Sequence, residues 1–276
     1  MIKVIVSHDV DHLYTGDHWK HDLILEKFLV RSFIQLFRRE ITFKVFLKRL
    51  PYVFRKRMCR IPEILAFDKM HSIPSSFFFG TGNILGMSYS PEQAKPWVQY
   101  VADNGFDVGV HAAVISDFQS MKKEFERFRQ FRIQERFGVR VHYVRYDDST
   151  FTNMAEIGYK FDTSEFCKEK ITLTQPYPVK AANGNIMWEF PLHVMDGYVI
   201  EKNAHDAKKL VLDALDEAER NDNVRYFTFL FHDIYFDEHI YPIWIDFYKW
   251  FIGICEERKL PFISYDDAIK EILHND

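Results

Sequence analysis

The stretch I-K-V-I-V-S-H-D-V-D-H (2–12) decides the reading of the fold. A short run rich in β-branched residues, followed at once by polar ones, is how a parallel strand buried on both faces looks in sequence. The expected strand covers 2–7, and S-H-D-V-D-H (7–12) stands at its C-terminal end. In D-x-D both carboxylates leave the backbone on the same side, because strand side chains alternate with period two. Two like charges held that close persist when a cation lies between them or when one keeps its proton.

Outward from this stretch, strand and helix patterns alternate. A helix is expected over about 20–38, then a strand at I-P-S-S-F-F-F-G (73–80). Ser90 and Pro91 read as the N-cap and first residue of a helix that stops near Asn104-Gly105. F-D-V-G-V-H (106–111) is the third strand, a charged helix fills 116–137, and V-H-Y-V-R-Y (141–146) is the fourth strand. A helix at 150–158 leads to Y-K-F-D-T (159–163); 164–186 reads as irregular, and M-W-E-F-P-L (187–192) as extended. A helix at 204–221, the strand Y-F-T-F-L-F-H-D (226–233), a helix at 240–258, a last F-I-S-Y strand and a helix at 265–273 close the chain. This alternation implies right-handed βαβ units and an α/β barrel of seven or eight strands, whose strand ends converge on one mouth. Those ends carry His8, Asp9, Asp11, His12, His111, Arg140, His142, Arg145, Glu189, His193, His232 and Asp233, which is what a metal or acid/base site requires.

The 276 residues are 47% hydrophobic and 28% charged, which excludes a disordered chain. No apolar run is long enough to span a bilayer, and Met1 leads almost directly into the first strand, so the expected compartment is the cytoplasm. Cys59, Cys167 and Cys255 form no CxxC pair, which argues against a disulfide framework or a cysteine-built zinc site. The net charge of −4 is unevenly spread: residues 14–68 hold twelve Lys or Arg against six acids, leaving −10 on the remainder. Within 41–60 seven basic residues interleave with Phe, Leu and Val and no acid occurs. Such a surface suits an anion-binding cap, a partner-docking helix or peripheral contact with the inner face of a membrane, or a lid packed on its own barrel. No basic-aromatic nucleic-acid motif is present, so a nucleic-acid partner is not expected.

Chemically, one carboxylate of the D-x-D can hold a divalent metal while the other takes a proton from water. His111 is the natural second ligand, a zinc site wants three protein ligands and an open position, and His232 suits the general acid. Asp233 or another carboxylate would raise the pKa of His232, and an arginine beside the base would keep it ionised.

The order S-H-D-V-D, F-D-V-G-V-H, R-x-x-Y, W-E-F-P-L and L-F-H-D resembles the motifs of the polysaccharide deacetylase family, the NodB-homology or carbohydrate esterase family 4 domain, over about 1–12 and 73–270. More closely, R-V-H-Y-V-R-Y, F-D-T-S and E-F-P-L-H-V-M-D look like its divergent branch in O-antigen and surface-polysaccharide loci, including WbmS-like proteins. The resemblance implies a distorted (β/α)7 barrel in a single 1–276 domain, with 14–68 as a helical insertion after the first strand. It also implies metal-dependent removal of an acyl group from an amino sugar. By motif, Asp9 is the base, Asp11 and His111 are metal ligands, Arg140 and Tyr143 form the R-x-x-Y turn with Arg145 as the competing arginine, and His232 is the acid. The Tyr143 N–H would stabilise the oxyanion, and Glu189 or Asp196 would line the sugar pocket. The family's H-x-x-x-H is broken here: its second position is Ile115. His142 is the expected substitute ligand, with Asp117, His12 and His8 behind it, and zinc the expected metal. The expected substrate is a nucleotide- or lipid-linked sugar precursor, and the alternative is a pseudo-deacetylase that binds carbohydrate or scaffolds glycan assembly.

Overall fold

The structure, a computed structural model, describes residues 2–19, 23–82, 84, 86–131, 133–200 and 204–275. Lys20 and Asp22 of the charge count, and the start of the helix expected from 20, lie outside them.

The first strand, β1 (Lys3–Val10), runs three residues further than its apolar run implied, so Ser7, His8 and Asp9 belong to it and Asp11 sits just past its end. Its neighbours are β2 (Ser76–Phe79) and β9 (Tyr226–Leu230), both parallel to it. Beyond β2 come β3 (Asp107–Ala112), β4 (Val139–Val141), β5 (Phe161–Asp162) and β7 (Ile186–Glu189), each parallel to the last. One end is β6 (Tyr177–Lys180), antiparallel to β7; the other is β8 (Val194–Met195), parallel to β9. Nine strands among the described residues thus form one curled, half-barrel mixed sheet, and its end strands are not hydrogen-bonded to each other. The sequence placed an irregular segment where β6 lies; Pro178 is tolerated there because an edge strand needs no donor on its outer side. The last expected strand is reduced to one bridge, Phe262 to Val4.

Helices cover the convex side. As expected, Ser90 and Pro91 start α4 (Pro91–Asp103); the structure adds Gln93 to complete a capping box, and the Ser90 hydroxyl is worth about 1 kcal/mol there. Asp117 caps α5 (Phe118–Arg129) by accepting from the Ser120 N–H. The chain leaves that helix early, against the expected 116–137. The others on this side include α6 (Thr150–Ile157), α8 (Ala204–Arg220) and α9 (Pro242–Glu257), whereas α10 (Tyr265–Asn275) packs on the opposite face. On the concave side Ile5, Phe78, Phe161, Phe190, Tyr226 and Tyr265 pack together. Gly109 and Gly138 make room for them: a Cβ on Gly138 would meet the Phe161 ring at 2.1 Å, and one on Gly109 the Phe78 ring at 2.7 Å.

Between β1 and β2 lie α1 (Ile24–Phe37), α2 (Phe43–Arg49), a 3-10 turn at Leu50–Phe54 and α3 (Ile61–Met70). Ile61, Ile64 and Leu65 of α3 join the main core. Leu25 of α1, with Tyr52, Val53 and Met58, instead packs against Ile234 and Ile240 after β9.

Candidate metal centre and acid/base site

β1 brings Asp9 and Asp11 to the mouth of the sheet, β3 brings His111, the end of β4 brings Arg140 and His142, and the segment after β9 brings His232. Asp9 is buried, and its Oδ1 accepts a charge-assisted bond from Arg140 Nη1 at 2.9 Å. The fully buried Arg140 guanidinium also donates to the Thr163 carbonyl at 3.0 Å and to Ser7 Oγ at 2.8 Å, with the Tyr265 hydroxyl at 3.3 Å, and lies over the Phe78 ring. Burial on its own would raise the Asp9 carboxyl; Arg140, then His111 and His232, outweigh it and hold the group below the usual carboxylate value. Of the two competing arginines Arg140 is the one beside Asp9; Arg145 lies exposed over the Tyr143 ring, and its hydrogen bond among the described residues is to the His142 carbonyl.

Asp11, His111 and His142 converge. His111 Nε2 is 3.2 Å from Asp11 Oδ1 and 3.0 Å from His142 Nδ1, and His142 Nδ1 is 3.5 Å from Asp11 Oδ1. The His111 Nδ1 contacts the Arg140 carbonyl at 3.1 Å, and a carbonyl only accepts, so Nδ1 carries the proton and Nε2 presents a lone pair inward. Asp11 Oδ1 is buried, and among the described residues it has no hydrogen-bond partner despite its short approach to His111. A tetrahedral ion with bonds of about 2.0–2.1 Å requires ligand atoms roughly 3.3 Å apart. The observed 3.0, 3.2 and 3.5 Å bracket that value. Two imidazoles and a carboxylate, with an orphaned oxygen and an inward lone pair, therefore fit a divalent cation, and these three are a possible metal-holding group among the described residues.

His142, the third member of this group, stands at the next strand end. Ile115 packs at the margin of the core, while the chain turns sharply after β4 through a 3-10 turn at His142–Val144. Tyr143 (φ 63°) and Val144 (φ 45°) are left-handed; for a β-branched residue that conformation is strained, a cost of order 1–3 kcal/mol met by the packing around it. The expected strand at 141–146 therefore ends at Val141, and the bend aims His142 at the centre.

His232 faces Asp11 across the cavity, Nε2 to Oδ2 3.8 Å. Its partner is Asp196, at the start of α7 (Asp196–Ile200). The Asp196 carboxylate accepts from the His232 backbone N–H at 2.7 Å and from ring Nδ1 at 2.8 Å. Burial opposes the imidazolium, but Asp196 first, then Asp11 and Asp9, push its pKa up to about 10. Asp196, expected to line the sugar pocket, is fully buried and bonds the histidine instead. Asp233 turns away to accept from the Arg60 N–H at 2.6 Å. The cavity enclosed, about 90 Å³, is lined by Asp9, Asp11, His111, His142, His232 and the rim residues Tyr143, Met195 and Tyr198. Ligand pockets run to ~300–1,000 Å³, so this one has room only for a small group and leaves the bulk of any ligand outside.

Several candidates lie elsewhere. Glu189 does not line the cavity: it is fully buried opposite Asp162, and both carboxyls are raised by burial, with mutual repulsion the next cause for Glu189. His8 bonds the Phe231 carbonyl and Asp68, His193 is held between Thr228 and Thr174, His12 packs on the His18 ring, and Asp117 is a helix cap. Nothing in the sequence marks Ser7, Thr163 and Tyr265, which fix Arg140, since each is an ordinary residue type brought in from a separate part of the fold.

No protein-family model matches the chain, and no curated protein matches it in sequence. Solved structures match in fold. A candidate polysaccharide deacetylase from Mycobacterium smegmatis superposes with a TM-score of 0.59 at 13% identity, over 99% of this chain and 90% of that one. Another, from Pseudomonas aeruginosa PAO1, gives 0.60 at 11% over 100% and 91%. The Puue allantoinase gives 0.62 at 11% over 96% and 87%. The expected α/β class is therefore found, as a curled, half-barrel mixed sheet shared with solved deacetylase-like proteins.

Proposed function

We propose that the chain is a metal-dependent hydrolase that removes an acyl group from an amino sugar of a surface-polysaccharide precursor. On this reading 1–276 is one domain, a distorted (β/α)7 barrel carrying 14–68 as an insertion. The observation that carries the proposal is the set of three inward ligand atoms of Asp11, His111 and His142 beside the Arg140-paired Asp9. The fold neighbours bearing the deacetylase name support it.

Asp11, His111 and His142 would hold the ion, zinc by its donor set, and bound there it supplies the Lewis acid that polarises the acyl carbonyl and a water. Asp9, kept ionised by Arg140, takes the proton of that water as its oxygen adds to the acyl carbon. The Tyr143 N–H sits on the strained turn beside the cavity as a donor for the developing oxyanion. His232, its Nδ1–H fixed on Asp196, gives its Nε2 proton to the nitrogen as the C–N bond breaks. The products are the carboxylic acid and the free amine, and the sugar rests on Tyr143 and Tyr198 outside the cavity.

The same reading gives the basic segment a use. Val30, Phe33, Ile34 and Phe37 recur at helical spacing on α1 and are exposed, Phe37 to 85%; Phe43 (62%) and Leu47 of α2 continue the strip through the Phe33–Phe46 contact. Arg31, Arg38, Arg39, Lys44 and Lys48 flank it, with Glu40 the acid between them in sequence. A second copy would bring like charge against like, whereas an anionic bilayer surface matches both the apolar strip and its charge. The substrate carrier on this view is a lipid or nucleotide diphosphate. No described helix is long and apolar enough to cross a membrane.

Acetate release from N-acetylated sugars carried on nucleotide and prenyl diphosphates tests the proposal. The expected result is release by the zinc-loaded chain, and a loss of about 10²–10⁴-fold in Asp9→Asn. A chain that binds no stoichiometric metal, releases no acetate and binds sugar equally as Asp9→Asn would be a carbohydrate-binding scaffold instead.

A further inference from the structure

A second cavity, about 390 Å³, lies between α1 and the segment that follows His232. Lys27, Arg31 and Arg49 contribute cations; Phe28, Tyr235, Tyr241 and Trp244 contribute rings; among the described residues no carboxylate lines it. Arg49 is the anomaly. It is 9% exposed, donates to Gln35 Oε1 at 2.6 Å, to the Ile240 carbonyl at 3.1 Å and more loosely to Ser32 Oγ at 3.5 Å, and among the described residues its Nε has no partner. It makes no ion pair among the described residues, although Arg55 and Arg60 nearby both pair with Asp237. A guanidinium buried without a counter-charge is an unfavourable arrangement unless an anion completes it, and its planar fork matches phosphate oxygens.

The cavity also borders the candidate centre. Tyr235 stacks on Trp244 with ring centroids 4.0 Å apart and stands edge-on to the His232 ring at 5.8 Å, so one aromatic ring separates the cavity from the imidazole. In a 2-acylamino sugar the anomeric carbon is the immediate neighbour of the carbon bearing the acylamino group. A substituent on that carbon thus leaves the cavity at the metal-holding residues on the side of a neighbouring wall. We propose that this second cavity is a subsite for a diphosphate group, gripped by Arg49 and Arg31, with Phe28 and Trp244 covering the apolar or ring portion attached to it. The inference deepens the deacylation reading by naming its substrate class as a diphosphate-linked sugar. It rests on that reading only for the identity of the sugar.

The test is titration calorimetry of the full-length, chelator-treated chain at low ionic strength, so that no anion can sit on a metal ion and no turnover is needed. Inorganic pyrophosphate, UDP and farnesyl diphosphate are the probes, against wild type, Arg49→Gln and the rim variant Arg31→Glu. Saturable pyrophosphate binding that weakens by about ten- to hundredfold in both variants is expected, from the strength of hydrogen bonds to charged groups. Tighter binding of UDP identifies a nucleotide carrier, and of farnesyl diphosphate a lipid one. Absence of saturable binding by all three probes, or affinities unchanged in the variants, overturns the subsite. Should Arg49→Gln fail to fold, as judged by its melting curve, Arg31→Glu decides, because that side chain is exposed. Failure of deacylation leaves this binding result intact, so the two claims fail separately.

Discussion

Arg140 Nη1 lies 2.9 Å from Asp9 Oδ1, with the guanidinium fully buried and the carboxylate buried at the edge of the cavity. The pair joins β4 to β1 across the concave side of the sheet, and the remaining guanidinium donors are spent on Ser7, Thr163 and Tyr265. Truncating one member leaves an uncompensated buried charge. Arg140→Ala is expected to lower unfolding stability by about 3–5 kcal/mol, measured by urea denaturation, and Arg140→Lys to restore only part of it because the fork geometry is lost. A loss under about 1 kcal/mol would mean that the pair is not structurally dominant.

Metal retention should follow His142 and ignore Arg145. His142→Ala removes one of three ligands, so zinc affinity measured by competition with a chromophoric chelator should fall by about 100-fold or more, beyond the ~10–100-fold typical of second-layer changes. Arg145→Ala should retain zinc, since that side chain faces solvent.

A pH effect on stability should come from Asp107, at the start of β3. Burial first, then the Asp266 carboxylate, push its pKa up from 3.8 to about 6, with Lys160 opposing. The folded chain thus holds a proton that the unfolded chain releases earlier. The contribution is fully present below about pH 4 and disappears as pH rises through about 6. Asp107→Asn cannot lose that proton, so the stability difference between variant and wild type should shift in favour of the variant from pH 4 to pH 7. Parallel denaturation profiles at all pH values would contradict this.

On the proposed reading, membrane contact should depend on the α1–α2 strip. In flotation with vesicles containing phosphatidylglycerol, wild type should rise with the lipid, while Phe37→Glu and Phe43→Glu should stay below, and neutral phosphatidylcholine should capture little of any of them. Both positions are exposed, so the substitutions leave the core alone. Self-association that both variants abolish, without lipid binding, would assign the strip to a second copy.

Much of this was legible in sequence because it is local. A β-branched run with D-x-D at its end placed Asp9 and Asp11, and Ser90-Pro91 marked a helix start that the structure places at Pro91. The boundary errors fall where tertiary structure overrides pattern. The V-H-Y-V-R-Y run alternates like a strand, yet it bends at His142 into a left-handed turn that packing around the centre maintains. Glu189 ends its strand with the same acidic signal as Asp9, but the register pairs it with Asp162 under the sheet. Only three-dimensional placement distinguishes a carboxylate beside an arginine from one beside another carboxylate. The exposure of the α1–α2 strip and the counter-ion deficit at Arg49 are likewise properties of packing, which a helical periodicity or a charge sum does not contain.

The most direct measurement is an anomalous-scattering crystal structure of the zinc-loaded chain, recorded at the zinc edge. The account requires one strong peak about 2.0–2.2 Å from Asp11, His111 and His142 together, with Asp9 still on Arg140. No peak at this point, or an ion bound while the His142 ring turns away, would contradict it.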